Sequence, residues 1–271
     1  MKIAFVFPNS GSGLAFHPGI QILSAIAKQH GHETKLFHIH DKMIPWDNKR
    51  IVEKLVSYKP DMIAFTSTEF EFDKIKELAF AIQQEWNLVD AYLLLGGKAA
   101  ISHKDDQLLE LPFNAYSVRE GEKSFPELLD DIKRTDIKGM WFAVDHVIIR
   151  NPLGEIVTDL DSIPFMDFDL FDTPKILDER GGWLSVQFTR GCPFACTYCY
   201  VTTDRKLQFE GEEGYGVKNY LRKYSVEYAM QFLEQLCEKY GNHIKFINMD
   251  DELPTMHKKW FIDFCNAYKI R

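Results

Sequence analysis

No run in this 271-residue chain is apolar over the roughly 18 positions that a bilayer span requires. The longest, Leu88 to Gly97, contains Asp90 and stops at Lys98. No basic segment with a cleavage site precedes Lys2-Ile3-Ala4-Phe5-Val6-Phe7-Pro8, so neither a membrane span nor a signal peptide is expected. Positive charge is short as well: 32 Lys and Arg against 40 Asp and Glu leave a net charge of −8. Such a chain has no general attraction to phosphate backbones, and nucleic acid is not suggested as a partner. The dinucleotide signature G-x-G-x-x-G is absent, because Gly11-Ser12-Gly13 is followed by Phe at position 16. There is no internal repeat of 20–50 residues. The expected compartment is the cytoplasm, where the five cysteines stay reduced and a cluster of them reads as metal ligands.

What is present is a globular composition, 45% hydrophobic and 14% aromatic, which is enough for a substantial core and far from disorder. Through residue 135, short apolar runs alternate with amphipathic segments. Ile3–Phe7, Thr34–Ile39, Met62–Thr66, Tyr92–Leu95 and Tyr116–Val118 read as strands. Helical spacing joins Ile20, Leu23, Ile26 and Ala27, then Ile51, Leu55 and Val56, then Phe72 to Trp86, and finally Phe125 to Ile132. Continuous apolar strands between helices predict a parallel sheet of five strands covered on both faces. Residues 140–149 look like a small hairpin, and 159–172 like an ordered linker packed on a surface. A new strand, Trp183–Phe188, feeds directly into Arg190-Gly191-Cys192. The stretch 210–216, rich in Gly and Glu, reads as a flexible loop whose carboxylates would repel phosphate. His38 and His40 share a strand face, where exposed histidines without a metal are the common case.

The densest chemical signal is Cys192-Pro193-Phe194-Ala195-Cys196-Thr197-Tyr198-Cys199. Three thiols spaced Cys-x3-Cys-x2-Cys on one loop can aim at one place. A 4Fe–4S cubane normally takes four thiolates, so three would leave one iron open to an external ligand. Structural zinc fits less well, because it calls for a second ligand pair, and Cys237 and Cys265 stand alone in helical patterns as small core residues.

The segment Arg190-Gly191-Cys192 to Tyr200 resembles the cluster-binding loop of radical SAM enzymes, including the aromatic Tyr198 before the third cysteine. The resemblance implies that Cys192, Cys196 and Cys199 ligate three irons of a 4Fe–4S cluster. The fourth iron would bind S-adenosylmethionine, with Tyr198 near its adenine. Reductive cleavage of that cofactor would give a 5′-deoxyadenosyl radical, with flavodoxin or ferredoxin as the kind of reductant implied. Arg222-Lys223-Tyr224-Ser225 and the helix after it resemble the stretch that follows the loop in such enzymes. Ile244 to Glu252 resembles the second barrel strand, and by that likeness Asp250 and Asp251 at its end contact the S-adenosylmethionine amino group. Carboxylates at the C-terminal end of a barrel strand lie at the catalytic face; Asp as a cap is the alternative.

Residues 1–138 resemble the cobalamin-binding domain carried by many radical SAM enzymes. The likeness rests on Phe16-His17-Pro18-Gly19-Ile20, Lys59-Pro60-Asp61-Met62, Gly96-Gly97 and Arg119-Glu120-Gly121-Glu122. Ligands of open α/β sheets bind at the carboxyl ends of the strands. The candidate cobalamin residues there are Asn9, Ser10, Ser67, Thr68, Gly96, Gly97, Glu120 and Gly121. The Asp-x-His-x-x-Gly motif that supplies an axial histidine elsewhere is absent, so no axial ligand is named. The expected organisation is a five-stranded Rossmann-like domain (1–138), a hairpin and interdomain linker (139–181), and the first βα units of a partial (β/α) radical SAM barrel (182–271). Eighty-nine residues, from 183 to 271, suffice for two βα units, so the barrel reads as truncated, or as completed by a second chain. The implied function is a cobalamin-dependent radical SAM enzyme, such as a radical methyltransferase, acting on an unknown substrate. The alternatives are a radical SAM protein with a cofactor-free first domain and a non-catalytic iron–sulfur protein.

Overall fold

The computed structural model describes residues 1–11, 13–209 and 220–271. Ser12 and the stretch 210–216 lie outside the described residues. The chain forms two compact units, Met1–Ile156 and Val157–Arg271.

In the first unit, β1 (Lys2–Pro8), β2 (Glu33–Ile39), β3 (Met62–Thr66), β4 (Tyr92–Gly96) and β5 (Ala115–Ser117) run parallel in the order β2-β1-β3-β4-β5. The expected count of five is corrected to seven, because β6 (Met140–Val144) and β7 (Val147–Arg150) extend the sheet antiparallel beyond β5. The three-residue β5 would otherwise present an unpaired edge, and the hairpin covers it. Asp145 and His146 both have positive φ, +46° and +65°, which gives the hairpin a two-residue turn whose twist matches its strands. The segment expected as 139–181 is therefore divided: its hairpin lies in the first sheet, and its part from Val157 onward lies in the second unit.

Period-two alternation on β1 assigns its residues to two layers. Ala4 and Val6 face a core built with Ile51 and Leu55 of α2 (Asn48–Tyr58) and with Ile75, Leu78 and Ile82 of α3 (Phe72–Gln83). On the other face, Phe5 meets Phe125 of α6 (Gly121–Asp130), at 6.1 Å between ring centroids, and α6 packs on α1 (Pro18–Gln29). The helix expected to reach Trp86 stops at Gln83, one residue past Ile82, the last apolar position of its buried face; Trp86 is exposed. Two one-turn helices absent from the sequence reading, α4 (Lys98–Ser102) and α5 (Asp105–Leu109), follow β4 and seat Ala100 and Leu108 in the same core.

In the second unit, β8 (Trp183–Val186) pairs in parallel with β11 (Phe246–Met249), matching Trp183 to Phe246 and Val186 to Met249. Between them, β9 (Thr189–Arg190) pairs antiparallel with β10 (Arg222–Lys223). The helices in chain order are α7 (Thr173–Glu179), α8 (Tyr200–Phe209), α9 (Val226–Tyr240) and α10 (Lys258–Ile270). Residues 157–172 form a strap on α9. Phe165 packs on Tyr228 and Phe232, Tyr228 donates to the Ile163 carbonyl (2.9 Å), and Ser225 N–H donates to Asp161 (2.7 Å). Cys237 is exposed and not a core residue, since it falls one position beyond the buried Phe232, Leu233 and Leu236. No helix among the described residues is long and apolar enough to cross a membrane.

Candidate functional site

The cysteine loop starts at a glycine for a steric reason. Gly191 has φ +93°, and a Cβ there would lie 2.6 Å from the Tyr220 carbonyl and 2.9 Å from its ring. Any L-residue is strained by that φ, and here the added atom also collides with backbone. Beyond the glycine, Cys192, Cys196 and Cys199 are free thiols at intermediate exposure. Cys199 N–H donates to the Cys196 carbonyl (3.1 Å), which turns the chain sharply into α8. Two side chains of α8, three residues apart on one face, reach back to the loop. The Thr202 hydroxyl donates to the Cys196 carbonyl (3.2 Å), and Arg205 donates to the carbonyls of Cys192 (3.2 Å) and Pro193 (2.9 Å). Neither residue was singled out from the sequence, because α8 has no clean apolar stripe to mark it as a helix. Tyr198 is 91% exposed, its ring free on the loop.

Among the described residues, no three or more His, Cys, Asp or Glu side chains converge on a point suited to a single metal ion. Tetrahedral zinc needs that convergence.

The neighbouring acids Asp250 and Asp251 part company at the end of β11. Asp250 is exposed, held by the Asn248 amide, with its own N–H on the Val186 carbonyl (2.8 Å). Asp251 turns inward, and its Oδ1 accepts from the N–H groups of Phe188 (3.0 Å) and Thr189. Burial raises its carboxyl above the ordinary range, with Thr189 and Phe188 partly offsetting the shift; its Oδ2 is buried at hydrogen-bonding distance from no donor. Asp251 thereby ties the end of β11 to the connection that leads into the cysteine loop.

In the first unit, the strand order reverses between β1 and β3, and the crevice of an open α/β sheet lies at the carboxyl ends there. His17 caps α1: its Nδ1 accepts from Ile20 N–H (3.2 Å), so Nε2 carries the proton and faces Thr66 Oγ1 at 3.3 Å. Burial pushes this imidazole down to about 4, which keeps it neutral. The Glu71 carboxylate joins the two loops, accepting from Ser10 (2.8 Å) and from Thr68. Ser67 donates to the Thr68 carbonyl (2.8 Å). Asn9 folds its own loop: its Oδ1 accepts from Ala15 N–H (2.8 Å) and His38 Nε2 (2.9 Å), and its Nδ2 donates to the Gly13 carbonyl. His38 is therefore a buried partner of Asn9 and not an exposed strand histidine. A Cβ on Gly97 (φ +82°) would lie 2.5 Å from the Ser67 carbonyl, whereas Gly96 has ordinary clearance. Glu120 stands at the N-terminal boundary of α6 without a side-chain capping bond, and Gly121 lies against Leu23 of α1. The structure thus brings Ser10, Thr68 and Glu71 together, and Gly97 with Ser67. The contacts of His17 with Thr66 and of Glu71 with Ser10 had no local sequence signal, because these partners lie 49 and 61 residues away.

Solved structures share this architecture. The cobalamin-dependent S-adenosylmethionine radical enzyme OxsB, with aqua-cobalamin and S-adenosylmethionine bound, superposes with a TM-score of 0.75 at 18% identity, over 100% of this chain and 37% of that one. The fold is that of the cobalamin-dependent radical SAM enzymes. The radical S-adenosylmethionine methyltransferase TsrM from Kitasatospora setae, with cobalamin and a 4Fe–4S cluster bound, matches this radical SAM fold at a TM-score of 0.72 and 14% identity, over 98% of this chain and 50% of TsrM. By sequence, the chain is 27% identical to the anaerobic magnesium-protoporphyrin IX monomethyl ester cyclase of Cereibacter sphaeroides, over 100% of this chain and 44% of the cyclase. It is 26% identical to an uncharacterized methyltransferase of Pyrococcus horikoshii, over 97% of this chain and 56% of the relative. The chain thus spans about half the length of these curated relatives. No family model matches it.

Proposed function

We propose that the chain carries the cobalamin-type domain and the cluster-bearing first βα units of a radical SAM barrel, and that it serves an enzyme with methyl transfer as its reaction class. The observation that carries this reading is the glycine-started turn of three free, partly exposed cysteines, set between parallel strands of that fold. Cys192, Cys196 and Cys199 would hold the cluster, and the exposed Tyr198 ring and Asp250 carboxylate are available to S-adenosylmethionine. When bound, these groups supply hydrogen abstraction by a radical released on reductive cleavage of S-adenosylmethionine. The chain's own contribution is to fix the loop through Gly191, Thr202, Arg205 and Asp251. Flavodoxin or ferredoxin is the class of reductant this reading calls for.

One observation supports a second reading, in which the first domain is free of cobalamin. The hydroxyl protons of Ser10, Ser67 and Thr68, which would bond corrin amides, are already donated within the crevice, two of them to Glu71. Anaerobic reconstitution with iron and sulfide, followed by assay of 5′-deoxyadenosine from S-adenosylmethionine, tests the first reading. Cys196→Ala should abolish the cluster, and a retained cluster would refute the ligand assignment. An intact cluster without 5′-deoxyadenosine would indicate a non-catalytic iron–sulfur protein. Equilibrium dialysis with hydroxocobalamin separates the two readings of the first domain.

A further inference from the structure

We propose that Arg205 is a positioning residue for the cluster loop, one that both fixes its first turn and sets the reduction potential of a cluster held there. The inference rests on the cluster-binding reading of Cys192, Cys196 and Cys199. One guanidinium nitrogen bridges the carbonyls of Cys192 and Pro193 at 3.2 and 2.9 Å, across 13 and 12 residues of chain. Those carbonyls begin a turn that Gly191 holds in a conformation few residues adopt, so the backbone there needs an external anchor. From the same face of α8, Thr202 anchors the Cys196 carbonyl, and Thr202 N–H meets the Cys199 carbonyl at 3.2 Å. The carbonyls of all three cysteines are thus held by this one helix, and the Arg205 guanidinium brings a formal charge to two loop carbonyls.

A planar guanidinium stays ionised and can serve two carbonyls at once, which an ammonium on a flexible stem does less well. Three thiolates make a cluster site strongly anionic, and cluster potentials respond to net charge and nearby hydrogen bonds. At an effective dielectric constant of about 20, a unit charge about 12 Å from an added electron changes the reduced-to-oxidised ratio by about tenfold.

The test is made on the full chain, reconstituted anaerobically with iron and sulfide. Two quantities are read: the rate of iron loss to a chelator, and the redox titration of the cluster followed by electron paramagnetic resonance. Arg205→Met should lose iron at least threefold faster. Its reduced-to-oxidised ratio at a fixed applied potential should fall about tenfold, equivalent to about 59 mV for one electron. Arg205→Lys should bring the potential back to within threefold of the parent while still losing iron faster, because charge returns but the two-carbonyl bridge does not. A purely structural role would change iron loss without this Lys-reversible shift. If Arg205→Met fails to fold, Arg205→Gln against Arg205→Lys carries the same comparison, with Gln shifted and Lys not. Parent-like potential and iron loss in Arg205→Met or Arg205→Gln would overturn the proposal while leaving the cluster reading intact. Failure of the parent chain to take up a cluster would overturn both.

Discussion

Replacing Asp251 separates the two jobs a buried carboxylate can do. Its Oδ1 accepts two backbone N–H groups, from Phe188 and Thr189, both of which are buried. Asp251→Ala leaves both donors without that acceptor, at about 1–3 kcal/mol each. Against this stands the recovered cost of desolvating the carboxylate, which the raised pKa registers. The net expectation is a loss of about 2–4 kcal/mol of local stability for Asp251→Ala. Asp251→Asn keeps an acceptor oxygen without the charge and should stay within about 1 kcal/mol of the parent. Hydrogen exchange of the peptide spanning 184–190 reads the difference directly: its amides should exchange about 30-fold to 900-fold faster in the Ala variant, since each 1.36 kcal/mol is a factor of ten. The pH dependence adds a second check. A carboxyl raised on folding binds its proton more tightly in the native state, so stability falls as pH rises from its unfolded value through the raised one. The Asn variant should lack that component and gain on the parent as pH increases. If Asn and Ala destabilise the 184–190 segment equally, the charge and not the acceptor matters, and the brace is wrong.

Gly191→Ala should prevent cluster uptake while leaving the first unit folded, because the added methyl collides with the Tyr220 backbone; iron content and circular dichroism together decide this. Stability of the first unit should fall as pH drops from about 6.5 towards about 4, since His17 is neutral when folded and protonates more readily when unfolded. His17→Asn, which keeps a capping acceptor, should remove that component in urea unfolding at pH 7.5 and 5. Tyr198→Ala should change unfolding by less than about 0.5 kcal/mol, given its exposure. By calorimetry on the reconstituted chain, the same variant should weaken S-adenosylmethionine binding.

Parallel strands such as Ile3–Phe7 and Met62–Phe65 were legible in the sequence because both their faces are buried, leaving unbroken apolar runs. The partner of the 140–149 hairpin was not, because nothing local says which edge it will cover. The one-turn helices α4 and α5 are too short to show a period. Within the site, the cysteine spacing gave the loop directly, and Gly191 stood in the same motif. The division of labour between Asp250 and Asp251 was hidden, since adjacent residues at a strand end point to opposite sides and the sequence does not say which is inside. The occupation of Ser10 by Glu71 depends on a contact across two loops, 61 residues apart, and leaves no trace in spacing.

The strap over α9 also governs how tolerant the second unit is of length change. Its ties, Arg222 to Val157, Ser225 to Asp161, Tyr228 to Ile163, and Lys239 and Tyr240 to Asp169, span 64 to 71 residues. All of them enclose the cysteine loop. The entropy of closing such a circuit grows only with the logarithm of its length, so ten extra residues inside it cost about 0.1 kcal/mol. Insertions inside the circuit and away from the turn itself therefore leave the cysteines where they are, so connections of very different size can be carried around one fixed cysteine turn.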